Sequence, residues 1–144
     1  MLFHHSGTLY EDMYWIDLNT MKVVAEEITT DLESQIAYSA KTKEEILKYD
    51  NLITIHSHPD SFPPSPLDLY SNYVNRYFFG IVVCHNGEVF KYSVDEEIEL
   101  GYCDLIIANY LKEGYTEREA QMKALEKIQC KFGLRVEEVK GNGT

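Results

Sequence analysis

Two histidines two residues apart, His56 and His58, close the apolar run "NLITIHSH". An aspartate, Asp68, follows inside Ser65-Pro66-Leu67-Asp68. Imidazole nitrogens and carboxylate oxygens bind zinc at about 2.0–2.2 Å, and a catalytic zinc typically takes three protein ligands and keeps one position open. His56, His58 and Asp68 supply that number and those atom types. Other readings use the same residues. Each histidine alone can be an ordinary core or surface residue, and Ser-Pro-Leu-Asp alone is a good helix start. A Ser-His-Asp triad needs a serine on a strained elbow. No Gly-x-Ser-x-Gly occurs in the chain.

The elements that must position these residues follow from local pattern. In "NLITIHSH" a strand puts Thr54, His56 and His58 on one face and Ile53, Ile55 and Ser57 on the other. Residues i and i+2 on one face are close enough to hold one ion. Pro59 ends the strand, and the loop Asp60–Pro64, with two prolines in sequence, is expected to be stiff and extended. Ser65 as N-cap, Pro66 at the first helical position and Asp68 at the third predict a helix running to about Val74 or Arg76. That helix returns Asp68 toward the strand end.

Around this unit the pattern predicts an α/β fold with a mixed β-sheet flanked by helices. "MYWIDLN" and "KVVAEEI" read as a hairpin from about Met13 to Ile28, turning at Asn19-Thr20. "LESQIAYSA" is ambiguous between helix and loop. Thr42-x-x-Glu45 is a capping box and predicts a short helix starting there. "YFFGIVVCHNGEVFKYSV" reads as a second hairpin around His85-Asn86-Gly87. "CDLIIANYLKEG" is a helix ending at Gly114, and Thr116-x-x-Glu119 opens a longer one. Ala120, Ala124, Ile128 and Phe132 give that last helix an apolar stripe suited to core packing. "LRVEEV" reads as an edge strand. Residues 1–140 are expected to form a single domain, with 141–144 a disordered tail.

Composition narrows the function classes. The 144 residues carry 44% hydrophobic residues, enough for a core without disulfides. Cys84, Cys103 and Cys130 are odd in number and widely spaced, so they read as reduced, mostly buried thiols of a cytoplasmic protein. No signal-peptide pattern opens the chain and no apolar run suggests a membrane span. A net charge of −11, with every lysine cluster interleaved by acids, argues against nucleic acid as partner. His4, His5 and His85 read as surface residues, and Tyr70, Tyr73, Tyr77, Phe78 and Phe79 mostly as core or strand residues.

His56-Ser57-His58-Pro59 followed by Ser65-Pro66-Leu67-Asp68 closely resembles the signature of the JAMM (MPN-plus, or JAB) zinc metalloproteases, in the bacterial or phage-associated branch. The likeness extends from about Glu11 to Val94. It implies a cytidine-deaminase-like sandwich, one Zn²⁺ per domain, and His56, His58 and Asp68 as its ligands. One departure is visible: nine residues separate His58 from Asp68, one fewer than the common pattern. The ligand set is expected to survive the shorter loop on a different path.

The resemblance also implies catalytic residues. Ser65 matches the serine that holds the oxyanion, with its backbone left to serve the helix cap. Glu11, just before "MYWIDL", matches the glutamate general base; Glu26 and Glu27 are rivals, and Asp12 has too short a side chain. The function implied is a zinc-dependent peptidase or isopeptidase acting on protein or peptide substrates, ubiquitin-like tails among them. The alternative is a non-catalytic MPN-type binding or scaffold module. Retention of both histidines and the aspartate favours catalysis.

Overall fold

The computed structural model describes residues 12–27, 40–59 and 61–139. In chain order its elements are β1 (Met13–Asp17), β2 (Lys22–Glu27), α1 (Ala40–Ile46), β3 (Leu52–His58), α2 (Pro66–Val74), β4 (Phe79–Cys84), β5 (Val89–Val94), α3 (Leu100–Lys112), α4 (Glu117–Lys131) and β6 (Leu134–Val139). The expected readings of Ile28, of most of "LESQIAYSA", of Glu11, His4, His5 and Asp60, and of the tail at 141–144 lie outside the described residues.

The six strands form one mixed sheet in the order β2-β1-β3-β4-β5-β6. β3 and β4 pair in parallel, and the other described pairs are antiparallel. A parallel pair requires a crossover between its strands. The loop after His58 and α2 provide it, so Asp68 lies on this crossover and the two histidines lie at the end of the strand that feeds it. The chain is therefore α/β, with a mixed sheet and four helices among the described residues.

Both hairpins form. Asp17 closes the first turn by accepting hydrogen bonds from Asn19 N at 3.3 Å and Thr20 Oγ1 at 3.0 Å. In the second, Gly87 takes φ 94°, a conformation costly for a side chain with a Cβ, and Asn86 Oδ1 accepts from Glu88 N at 3.0 Å. The Thr116 capping box closes in full, the hydroxyl accepting from Glu119 N and the Glu119 carboxylate accepting from Thr116 N. The Thr42 box does not. α1 already includes Ala40 and Lys41, and Thr42 is buried inside it, its hydroxyl donating to Glu27 Oε1 at 2.5 Å. A tertiary partner on β2 takes the hydroxyl that the local pattern assigned to a cap.

Burial alternates along β4 and β5. Gly80, Val82 and Cys84, and then Phe90, Tyr92 and Val94, are buried, while their neighbours are half-buried. The buried set packs with Leu69 of α2, Cys103 and Ile106 of α3, and Ala124, Leu125 and Ile128 of α4. Ala120 is buried as well, so three residues of the expected α4 stripe are core; Phe132 packs against the cluster from its edge. A second cluster joins Met13, Trp15, Leu52 and Tyr77, with Ile46 of α1 against it. Each large side chain so buried stabilises the fold by roughly 1.5–3 kcal/mol.

The register ties the histidines to this covered face. His56 lies opposite Val82 and His58 opposite Cys84 across the β3–β4 pair, and laterally paired residues point to one side of a sheet. Cys84 and Cys103 are buried free thiols, and Cys130 is an exposed one. No helix among the described residues is long and apolar enough to cross a membrane.

Candidate metal centre

The C-terminal end of β3 is fixed on both sides. Ser57 N donates to Asp12 O at 3.0 Å, and Asp12 N donates to Ser57 Oγ at 2.9 Å. Across the sheet β4 holds His56 and His58 in parallel register. The two imidazoles thus stand at the carboxyl end of a parallel strand, where α/β sheets commonly place ligand sites.

α2 brings the third group. Ser65 is its N-cap, Pro66 its first residue and Asp68 its third, as the sequence predicts. The capping box is reciprocal. Asp68 N donates to Ser65 Oγ at 3.2 Å, and Ser65 N donates to Asp68 Oδ2 at 2.9 Å. That second bond leaves the Asp68 carboxylate with one fixed rotation. It then faces both histidines, Oδ1 lying 3.3 Å from His56 Nε2 and Oδ2 lying 3.2 Å from His58 Nε2. The two Nε2 atoms are 3.0 Å apart, with the rings crossing at 65°.

These separations test whether an ion fits. Two ligand atoms about 2.05 Å from one metal, at a tetrahedral angle, lie roughly 3.3 Å apart. The spacing between the two nitrogens, 3.0 Å, and those from each nitrogen to its own Asp68 oxygen, 3.3 and 3.2 Å, are close to that value. His56, His58 and Asp68 offer three ligand atoms that all lie within 4.8 Å of one another. The histidine side chains are 4% and 7% exposed and that of Asp68 21%, so an ion here would meet solvent on the aspartate side.

An outer contact orients one of the candidate ligands. His58 Nδ1 lies 2.8 Å from Phe62 O. A carbonyl only accepts, so Nδ1 carries a proton, and in the neutral ring Nε2 then presents a bare lone pair, the form that binds a metal. Cys84 Sγ donates to the same carbonyl at 3.3 Å. His56 Nδ1 is buried with no hydrogen-bond partner among the described residues. Burial raises the Asp68 carboxyl, but the His56 and His58 imidazoles beside it, when they carry positive charge, outweigh this and hold it well below the usual carboxylate range.

The structure corrects two expectations at the loop and cap. The proline loop is not extended at its start. Ser61 takes φ 58° and its N–H donates back to His58 O at 3.2 Å, forming a tight turn before Phe62. At Ser65 the hydroxyl itself makes the cap, not the backbone alone; its own proton stays available to an outside acceptor.

Of the candidates for a base, Glu26 and Glu27 lie on β2. Glu11 lies outside the described residues. Its neighbour Asp12 is buried and bonded to Ser57, between the two histidines in sequence. Glu26 is exposed on β2, opposite Tyr14. Glu27 pairs with Met13, which pairs with His56, and its carboxylate accepts from Thr42. His85 is exposed in the hairpin turn.

Phe62 is the site residue that residue types do not reveal, because it acts through its carbonyl. Its one sequence signal is position, between the histidines and Ser65 in a loop stiffened by Pro63 and Pro64. In comparisons with family models, with curated proteins and with solved structures, the chain matches none.

Proposed function

We propose that this protein is a zinc-dependent hydrolase of the JAMM type, cleaving peptide or isopeptide bonds of protein substrates, ubiquitin-like tails among them. A cytidine-deaminase-like sandwich and a cytoplasmic setting belong to the same proposal. The observation that carries it is the convergence of His56 Nε2, His58 Nε2 and both Asp68 oxygens at spacings suited to one ion, with His58 held in its ligating tautomer by Phe62 O.

When bound, zinc supplies an acidified water and a polarising charge for a carbonyl. The chain's own residues do the rest. Asp68 brings negative charge that offsets the metal's, and its capping bonds to Ser65 keep it from turning away. The Ser65 O–H, whose oxygen already accepts from Asp68 N, donates to the substrate oxygen as negative charge builds there. Glu11 takes a proton from the attacking water and returns it to the leaving nitrogen.

Elemental analysis of the purified protein, followed by hydrolysis of peptide-linked and isopeptide-linked ubiquitin-like fusions with and without chelator, tests this. One zinc per chain and chelator-sensitive cleavage, abolished in Glu11→Gln with zinc retained, is the expected result. Zinc bound at His56, His58 and Asp68 with no cleavage of either linkage would instead favour a binding module. Undiminished cleavage by Glu11→Gln would remove Glu11 from its role.

A further inference from the structure

Arg118 sits in the first turn of α4, between Glu117 and Glu119. A cation there opposes the helix dipole, so local structure does not account for it. Its contacts are distant in sequence. Arg118 Nε donates to Ser61 O at 3.1 Å, and Nη2 pairs with Glu88 Oε1. Asn86 Nδ2 donates to that same Glu88 oxygen at 2.6 Å, and Asn86 N donates to Ser61 Oγ at 3.0 Å. The hairpin turn and α4 therefore both grip Ser61. With Ser61 N bonded to His58 O, all three polar groups of this residue are engaged.

Ser61 is held at φ 58°, a backbone state a serine rarely adopts unless its surroundings impose it. The next residue is Phe62, whose carbonyl fixes the tautomer of His58. A bond broken at Ser61 frees the turn that aims this carbonyl. We infer that Arg118, with Glu88, is a positioning residue for the metal centre: it holds the Ser61–Phe62 turn so that Phe62 O keeps the proton on His58 Nδ1 and leaves Nε2 bare. This rests on the metal-centre reading above, but the tautomer it concerns exists without the metal.

The experiment compares wild type with Arg118→Met, which keeps the apolar stem, and with Glu88→Gln, which keeps an acceptor but loses the charge. Circular dichroism establishes that each is folded, and Glu88→Gln carries the test where Arg118→Met does not fold. Long-range proton–nitrogen NMR on the metal-free protein at pH 8 reads the His58 tautomer. Wild type should show Nδ1–H alone, and Arg118→Met a mixture with Nε2–H. Competition with a chromogenic chelator should show zinc affinity weaker by about 10–100-fold in Arg118→Met, the usual loss when an outer-shell contact is removed. Glu88→Gln should shift both readouts in the same direction by less. A folded Arg118→Met that keeps a single Nδ1–H tautomer overturns the inference, whatever its zinc affinity. Wild type that binds no zinc refutes the metal centre, and the tautomer readout still decides the role of Arg118.

Discussion

His56 Nε2 and His58 Nε2 face each other at 3.0 Å, and only one of them can carry the proton between them. Since His58 is protonated on Nδ1 by its contact with Phe62 O, the neutral pair requires His56 to carry its proton on Nε2. His56 must therefore change tautomer to become a ligand, moving its proton to Nδ1, while His58 need not change. Addition of one equivalent of zinc at pH 8 is expected to convert His56 from Nε2–H to Nδ1–H and leave His58 as Nδ1–H. Nitrogen chemical shifts of the two rings check this. A His56 ring already protonated on Nδ1 without metal contradicts the assignment.

Zinc should also stabilise the fold, since three ligands from β3 and α2 meet only when both are in place. A ligand that binds only the folded state contributes about 2.7 kcal/mol at 100 times its Kd. At roughly 2–4 °C per kcal/mol that raises Tm by about 5–10 °C. Asp68→Asn keeps an oxygen for Ser65 N yet loses the carboxylate. Its thermal unfolding is expected to be nearly blind to zinc, and chelator should return wild type to its metal-free Tm. An equal zinc shift in both proteins would mean the ion binds elsewhere.

The path from residues to site was legible where short-range rules act alone. Strand periodicity put His56 and His58 on one face. Ser65, Pro66 and Asp68 fall in the helix-start positions their types prefer, and Asn86-Gly87 turns a hairpin. Thr42 and Thr116 show the limit. Both head a Thr-x-x-Glu pattern, but Thr116 caps a helix while Thr42 lies within one and bonds Glu27, fifteen residues earlier. The sequence carries no sign of which partner a hydroxyl meets across the fold. The same holds for Arg118 and Ser61, 57 residues apart, and for Phe62, whose contribution is a carbonyl that every residue possesses. Sheet order likewise depends on pairings that no local pattern encodes.

Gly80 lies beside the site strand, opposite Thr54 on β3 and Tyr92 on β5. A Cβ at this position would overlap the Tyr92 ring, lying 2.5 Å from its hydroxyl and 2.8 Å from Cε1. Tyr92 is buried and has little room to yield. Gly80→Ala is expected to lose about 1–3 kcal/mol in denaturant unfolding, the usual cost of overpacking. The same substitution in a Tyr92→Leu background should cost less, because the ring is gone. Equal costs in the two backgrounds would place the strain elsewhere.

Trp15 donates its Nε1–H to the Tyr77 hydroxyl at 3.0 Å in the second apolar cluster, and Trp15 is 0% exposed. Tyr77→Phe leaves that indole N–H buried without its acceptor, so stability at pH 8 should fall by about 1–3 kcal/mol. The difference should depend on pH. Burial pushes the Tyr77 hydroxyl above its ordinary 10.0, against the pull of the Trp15 N–H toward the charged form. The folded chain then holds this proton more tightly than the unfolded chain. Its contribution is complete below pH 10 and is lost as pH rises through the raised folded value. The stability gap between wild type and Tyr77→Phe should therefore narrow as the pH passes 10 in urea titrations. A gap that widens over that range would show that Tyr77 ionises more readily in the fold than in the unfolded chain.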